Sequence, residues 1–166
     1  MTVLHAKSEI ETYRATFEKE YLITQRVLRA FPAAKSEFKA AQSSQTAREI
    51  AWTLAFTQGE VERILKGDAM TKDMPKIPAT WAEVLEAFES GHKRSLARIA
   101  QLKDEEMNRT THTMTGPKQE GDLRVGDTLW GMTSLTIHHR GQLSVYLRMV
   151  GGKVPSIYGP SGDEPW

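Results

Sequence analysis

The residues best suited to chemistry are concentrated in one stretch, Asp127–Val150, which reads DTLWGMTSLTIHHRGQLSVYLRMV. At 100° per residue, this stretch forms a helix with one mostly apolar face. That face contains Met132, Leu135, His139, Gln142, Leu143, Tyr146 and Val150. We therefore expect His139 to point into the protein, with His138 about 100° away on the flank.

An inward histidine can ligate a metal or act as a polar group in a ligand cavity. One imidazole does not make a catalytic zinc or nickel site, which needs three protein ligands. We therefore favour a hydrogen bond from His139 to a neighbouring helix. Arg140, with His138 and Gln142, could bind an anionic thiol or a carboxylate through its planar guanidinium. The alternative, which we prefer, is that His138 and Arg140 hold the C-terminal tail and help position Tyr158.

Three other stretches have helical periodicity, and each begins with a capping box, Ser8 to Glu11, Thr46 to Glu49 and Thr80 to Glu83. Together with Asp127 as an N-cap and Gly151-Gly152 as a stop, these patterns predict four long helices. Their expected ranges are 8–31, 46–66, 80–107 and 127–150. The predicted core contains Phe17, Leu54, Val61, Leu85, Phe88, Leu96, Met132, Leu143 and Tyr146.

The connections carry no convincing strand pattern. Residues 33–44 and 69–79 are predicted to be irregular, and 109–126 is long enough to be a functional crossover to the fourth helix. The tail from residue 151 is rich in Gly and Pro, and we expect it to pack along the helices. The sequence thus predicts an all-α fold, an antiparallel four-helix bundle with a long crossover, as a single domain over 1–166.

The remaining histidines give weaker indications. His92 falls on the inward face of the third predicted helix and could supply a second nitrogen, although we favour a histidine at the edge of the core. His5 and His112 lie in segments that the sequence does not place.

Two helices carry a second apolar stripe opposite the first. Such a stripe either packs against the tail and the connector at 33–45, or forms a two-fold interface. We expect a mixture, and a homodimer. The stripes are Trp52, Phe56 and Gly59 in the second helix, and Trp130, Ser134, Ile137, Gly141 and Val145 in the fourth.

Composition excludes several classes of function. A net charge of +1, from 22 basic and 21 acidic residues mixed along the chain, argues against nucleic acid or an acidic membrane as a partner. The absence of cysteine excludes a thiolate nucleophile or metal ligand, so any thiol would be external. The N-terminal sequence has no signal-peptide pattern, and we expect a cytoplasmic protein.

The run HHRGQLSVYLRMVGGKVPSIYGPSGDE, His138–Glu164, resembles the C-terminal signature of the DinB/YfiT-like family, and TAREIAWTLAF from Thr46 resembles the second-helix segment of that family. The resemblance implies a four-helix bundle, often dimeric, with a divalent metal held by one histidine of the second helix and an H-x-x-x-H pair of the fourth. Members with known activity are transferases or isomerases that use low-molecular-weight thiols.

Carried over to this chain, the family's ligand positions are Thr53, Leu135 and His139, so two of the three histidines are missing. Zinc or nickel would therefore bind weakly, if at all. The expected function is a non-catalytic or ligand-binding dimeric relative with a degenerate site, which could bind a small molecule or a thiol. The alternative is a metal-dependent thiol transferase or isomerase. The expected cavity lining comprises Thr53, Leu135, His138, His139, Arg140 and Gln142.

Overall fold

The computed structural model describes residues 8–68 and 75–166. Within them the chain is mostly helical, with five α-helices, one 3₁₀ turn and one small sheet. The elements are α1 (Glu9–Ala30), the 3₁₀ turn Ala33–Lys35, α2 (Ala47–Lys66), α3 (Trp81–Ile99), α4 (Asp104–Met107), β1 (Thr110–Gly116), β2 (Gln119–Arg124) and α5 (Val125–Met149).

All three predicted capping boxes are present. Ser8, Thr46 and Thr80 each accept a hydrogen bond from the backbone N–H three residues later, and the glutamate at that position bonds back to the cap. These reciprocal bonds satisfy backbone donors that the first turn of a helix leaves free. The N-cap residues of α1, α2 and α3 were therefore predicted correctly, and each helix begins one residue after its cap.

The helix directions differ from the expected antiparallel arrangement. Arg48 of α2 donates to the Pro78 carbonyl oxygen just before α3, and Arg98 near the end of α3 donates to the Leu65 carbonyl oxygen near the end of α2. The first contact joins the N-terminal ends of α2 and α3, and the second joins their C-terminal ends, so the two helices are parallel.

A second pair is also parallel. The ring of Tyr13 in α1 contacts that of Trp130 near the start of α5, with centroids 5.2 Å apart. Further along both helices, Glu20 of α1 forms an ion pair with Arg140 of α5. In contrast, α1 and α3 are antiparallel, since Trp81 at the start of α3 donates to the Leu28 carbonyl oxygen near the end of α1.

The prediction that all the long helices are antiparallel is therefore wrong. Because α2 and α3 run the same way, the end of α2 and the start of α3 lie at opposite ends of the pair, about 30 Å apart for a 20-residue helix. The predicted irregular segment 69–79 lies largely outside the described residues. The crossover expected at 109–126 is not needed.

The third predicted helix ends early, at Ile99 rather than near Met107. The chain turns at 100–103 and starts the short helix α4, whose Asp104 accepts hydrogen bonds from the backbone N–H groups of Ile10 (2.9 Å) and Glu9 (3.4 Å). A carboxylate at this position is favourable because the first turn of α1 has free donors. The break therefore lets one helix cap another.

The fourth long helix begins at Val125, and its N-cap is Arg124 rather than Asp127. Asp127 instead forms an ion pair of 2.8 Å with Arg124, which also binds Glu9 of α1 at 2.7 Å. A Cβ atom at Gly126 would lie 2.8 Å from the Glu9 carboxylate and 2.7 Å from the Arg124 guanidinium. A larger residue at this position would require the ends of the Arg124 and Glu9 side chains to shift.

The segment 110–124 was expected to be irregular but forms an antiparallel hairpin, with Thr111 paired to Leu123 and Thr113 to Gly121. Its inward residues, Thr111 and Thr113, are buried. The period-two pattern was therefore present, but threonine occupied the positions where apolar residues would have revealed it.

The core predictions are confirmed for six residues and wrong for three. The buried six are Phe17, Leu54, Val61, Phe88, Leu143 and Tyr146. The other three, Leu85, Leu96 and Met132, are only partly buried at the edges of the two apolar clusters. Val154 and Ile157 of the tail pack against one cluster, as expected. None of the described helices is long and apolar enough to cross a membrane.

Replacing Phe88 with alanine should lower the free energy of unfolding by about 3–5 kcal/mol, because the ring is fully enclosed and leaves a cavity. Chemical denaturation measures the loss. The control is Leu22→Ala, at a side chain that is 58% exposed, which should change stability by no more than about 0.5 kcal/mol. An equally small loss for Phe88→Ala would contradict the assigned core.

Candidate functional site

The buried face of α5 is not the predicted one. Its buried residues include Leu129, Thr133, Thr136, Arg140, Leu143 and Leu147, so the face is rotated by about one residue from the expected stripe. His139 is half-buried, Gln142 is exposed, and Arg140 is the inward residue, 1% exposed. The prediction that His139 points inward is wrong. Both sides of this helix are weakly apolar, so the spacing of apolar residues did not identify the buried face, and the polar residue that is buried most deeply is the charged Arg140.

The α2–α5 contact brings together the two elements that carry the three family ligand positions. Thr57 and Thr136 share a hydrogen bond of 3.3 Å, and Tyr146 donates to the Gln45 carbonyl oxygen at 3.1 Å. This antiparallel register puts Thr53 level with His139. The fold therefore retains the juxtaposition of helices that the resemblance implies.

The side chains at those positions do not match a three-histidine site. The Thr53 hydroxyl donates to the Glu49 carbonyl oxygen of its own helix at 3.1 Å, Leu135 offers no ligand atom, and His139 Nδ1 bonds Gln142 Oε1 at 2.8 Å. Over 8–68 and 75–166, no group of three or more His, Asp or Glu side chains could hold a metal ion. Of these three positions, only His139 carries a side chain of the type that zinc or nickel prefers.

Burial chiefly lowers the pKa of His139, with a smaller lowering from the neighbouring His138, while the hydrogen bond to Gln142 raises it. The neutral imidazole is therefore favoured near neutral pH. His138 itself is exposed, 5.1 Å from the His139 ring between centroids. His138 and His139 therefore present one exposed and one half-buried imidazole on the same helical turn.

His92 lies between α1 and α2, in an aromatic stack. Its ring centroid is 3.6 Å from that of Tyr21 and 4.8 Å from that of Phe17, and its Nδ1 bonds Gln58 Oε1 at 3.1 Å. Burial lowers the pKa of His92 to about 4. The side chain is thus a neutral, hydrogen-bonded core histidine.

His112 lies on the hairpin, with Nδ1 2.8 Å from Asp122 and Nε2 3.5 Å from Glu120. The hydrogen bond to Asp122, followed by that to Glu120, raises the pKa of His112. His5 falls in 1–7, outside the described residues.

Arg140 is the centre of a buried polar cluster that joins three parts of the chain. Its Nη1 lies 2.5 Å from Glu20 Oε2 and 3.2 Å from Thr24 Oγ1, both in α1. Its Nη2 donates to the Tyr158 hydroxyl of the tail, and that hydroxyl donates to Glu20 Oε2 at 2.6 Å. The contact between Arg140 and Tyr158 is the one expected from the sequence.

Sequence reasoning missed Glu20 and Thr24, although a signal was available. Both continue the spacing of Tyr13, Phe17 and Val27 on the buried face of α1. A carboxylate on an otherwise apolar helix face implies a buried cationic partner. The helix that could supply it contains Arg140.

An inner cavity and an outer groove lie beside α2. The inner one has room for about one water molecule, about 10 Å³, and is lined by Phe17, Glu20, Thr57, Gln58, Val61, Met132, Thr133 and Thr136. None of the six residues predicted to line a cavity borders it, and their role stays a prediction. The outer one, of about 300 Å³, is a groove between α2 and α3 beside the stripe residues Trp52, Phe56 and Gly59.

The pKa values of His92 and His112 should differ widely. NMR titration is expected to give His92 a midpoint of about 4 and His112 a midpoint above its ordinary value of 6.5. Because the unfolded chain protonates His92 near 6.5, this residue should reduce stability progressively as pH falls from about 6.5 to 4. His92→Gln and His112→Gln assign the two signals. A midpoint near 6.5 for His92 would contradict its burial.

Comparison with known proteins agrees with the geometry. A sequence model of the DinB family matches residues 6–165. The fold is similar to the crystal structure of a DinB-like protein from Bacillus cereus, at a TM-score of 0.72 and 20% identity over 89% of this chain and 97% of that one. It is also similar to a DinB-like protein from Bacillus subtilis, at a TM-score of 0.67 and 19% identity over 87% and 95%. No curated protein matches. The chain belongs to the DinB family.

Proposed function

We propose that this chain is a non-catalytic, ligand-binding member of the DinB family, whose metal site is degenerate. The observation that carries the proposal is the state of the family's ligand positions. Of Thr53, Leu135 and His139, only the last has a nitrogen ligand, and the Thr53 hydroxyl is engaged by its own helix. Without three ligands, a bound cation would not be held tightly enough to activate a thiol.

We further propose that α1, α2, α3 and α5 form a four-helix bundle with two parallel pairs. Contacts between α1 and α3, α3 and α2, α2 and α5, and α5 and α1 support a closed ring of four helices. The proposed small-molecule ligand would bind between α2 and α5 beside Thr53 and His139, because the resemblance places the family's metal site at these positions.

The metal-dependent transferase or isomerase remains the competing function. It requires replacement ligands from elsewhere in the chain to complete a site with His139. A measurement of metal affinity separates the two functions, because the degenerate site and the complete site differ by two protein ligands.

Isothermal titration of the full chain with zinc and with nickel should show no submicromolar site. Any weak binding should disappear on dialysis and should be reduced by His139→Ala. The matched control is His138→Ala, which removes an exposed imidazole from the same turn. One submicromolar site per chain, lost in His139→Ala but kept in His138→Ala, would overturn the proposal and favour the enzyme.

The proposed assembly is a homodimer formed through the outer face of α5. This face exposes Ile137 (37%) and Val145 (57%), and nothing lies within 4 Å of a Cβ atom built at Gly141. An apolar stripe with a glycine at its centre suits the close approach of a second copy.

Gly141→Leu should convert the dimer to a monomer, because the added side chain would overpack a close helix contact. Within a monomer the change meets open space, and it should raise helix stability by up to about 1 kcal/mol. Light scattering measures mass, and denaturation of the variant confirms that it is folded.

The control is Gly131→Leu, another open glycine of α5, about 15 Å along the helix and about 80° around it. This variant should stay dimeric. A native chain that is monomeric at high concentration would contradict the proposed assembly.

A further inference from the structure

The contact between the tail and the buried Arg140–Glu20 pair has a distinctive chemistry. The two charged side chains are 1% and 6% exposed, whereas Tyr158 is 54% exposed and only its hydroxyl reaches them. That hydroxyl accepts a hydrogen bond from the guanidinium and donates one to the carboxylate. The pair therefore provides one donor and one acceptor for a single oxygen atom.

This arrangement suits a neutral group that both donates and accepts a hydrogen bond, such as a hydroxyl, better than a charged one. A carboxylate at the position of the Tyr158 oxygen would face Glu20, and an ammonium would face Arg140. Only a group that can both donate and accept satisfies both partners. Burial and the hydrogen bond to Glu20 raise the pKa of Tyr158, so the phenol keeps its proton at neutral pH.

The aromatic ring also has partners. The Arg140 guanidinium carbon lies 5.0 Å from the Tyr158 ring centroid, and the Lys19 ammonium nitrogen lies 5.8 Å from it. Cations within about 6 Å of a ring face are attracted to it. The surroundings therefore suit an aromatic alcohol better than an aliphatic one.

The segment that presents Tyr158 is closed on itself. Val154 N donates to Asp163 (2.9 Å), Ser156 Oγ donates to the Gly159 carbonyl oxygen (2.8 Å), and Ser161 Oγ donates to the Val154 carbonyl oxygen (2.5 Å). These bonds lie within 154–164, so the segment can move as a unit. We call it the strap.

Outside Tyr158 and the partly buried Val154 and Ile157, the strap is held mainly by surface ion pairs. Arg26 binds Glu164 at 2.6 Å and Arg148 binds Asp163 at 2.6 Å, with both arginines about half exposed. Such pairs contribute little, about 0–1 kcal/mol each. These two ion pairs therefore add little to the hold that Tyr158, Val154 and Ile157 provide, and a ligand that replaces the Tyr158 contacts removes the main polar attachment of the strap.

The strap leaves α5 through two glycines. Gly151 has φ +80°, the left-handed conformation that glycine adopts without strain, and a Cβ atom at Gly152 would lie 2.2 Å from Leu147. The N–H groups of Gly151 and Gly152 also cap α5 by donating to the Arg148 and Leu147 carbonyl oxygens, so displacement of the strap has to begin beyond Gly152.

We propose that Arg140 and Glu20 form a binding site for a phenolic hydroxyl, that the strap fills this site with Tyr158, and that a phenol-bearing small molecule competes with the strap for it. The site opens between α1 and the tail, whereas Thr53 and His139 lie on the α2 side of α5. The inference therefore does not rest on the proposed function of the degenerate metal site.

The test removes the phenol from the full chain and supplies it from solution. In Tyr158→Ala, phenol should raise the thermal unfolding temperature, whereas benzene, which has the same ring without the hydroxyl, should not. Wild-type protein in the same phenol concentrations corrects for general solvent effects. Equal shifts with phenol and benzene, or no shift with phenol up to its solubility limit, would overturn the proposal.

Two further variants separate hydroxyl recognition from ring packing and from strap attachment. Tyr158→Phe keeps the ring, and amide exchange at 156–159 should become faster than in wild type while α1 and α5 are unchanged. Glu164→Gln keeps Tyr158 but weakens an anchor worth about 0–1 kcal/mol, so phenol should bind this variant at least as tightly as it binds wild type. Wild-type exchange in Tyr158→Phe, or weaker phenol binding to Glu164→Gln than to wild type, would contradict the proposed competition.

Discussion

The burial of Arg140 is the constraint on which the arrangement of α1, α5 and the tail depends. A guanidinium that is 1% exposed has lost its hydration, so its donors must find acceptors inside the protein. Glu20 and Thr24 provide them from α1, and Tyr158 provides one from the tail. Loss of either charged partner would leave an unpaired buried charge, which typically costs about 3–5 kcal/mol. One side chain thus fixes the parallel register of two helices and the position of the strap.

The two sides of α5 therefore differ in kind. Toward α1 the contacts are charged and directional, from Glu9 and Arg124 at one end to Glu20 and Arg140 in the middle. Toward α2 they are uncharged, with Leu54 and Leu143 in one apolar cluster and hydrogen bonds between neutral groups. Replacing a buried ion pair with apolar residues is often neutral or stabilising, so stability alone does not explain the charged side. Recognition of a hydroxyl by that pair accounts for keeping it.

The sequence allowed prediction of the features set by local chemistry. Capping boxes fixed three helix starts, because the bonds join residues three positions apart. Apolar spacing identified most of the core. Helix direction was not predictable, since the length of 67–80 is compatible with more than one path. The hairpin was missed because Thr111 and Thr113 face inward where apolar residues were sought. On α5, the charge of Arg140 led to the prediction that His139, its neighbour, faces inward. Burial of Arg140 is favourable only because it pairs with Glu20, which lies 120 positions away in the sequence.

The proposed loss of the family's ligands agrees with the way α2 and α5 are joined. Their contact depends on Leu54, Leu143, the hydroxyls of Thr57 and Thr136 and the Tyr146 bond to the Gln45 carbonyl oxygen, and none of these needs a metal. In small metal-dependent domains, by contrast, the energy of metal binding is part of the folding energy, and the ligands cannot change without unfolding. Here positions 53, 135 and 139 are free of that requirement. Family membership therefore establishes the fold of this chain. Its chemistry has to be inferred from the side chains at positions 53, 135 and 139 and from the buried Arg140–Glu20 pair on the other side of α5.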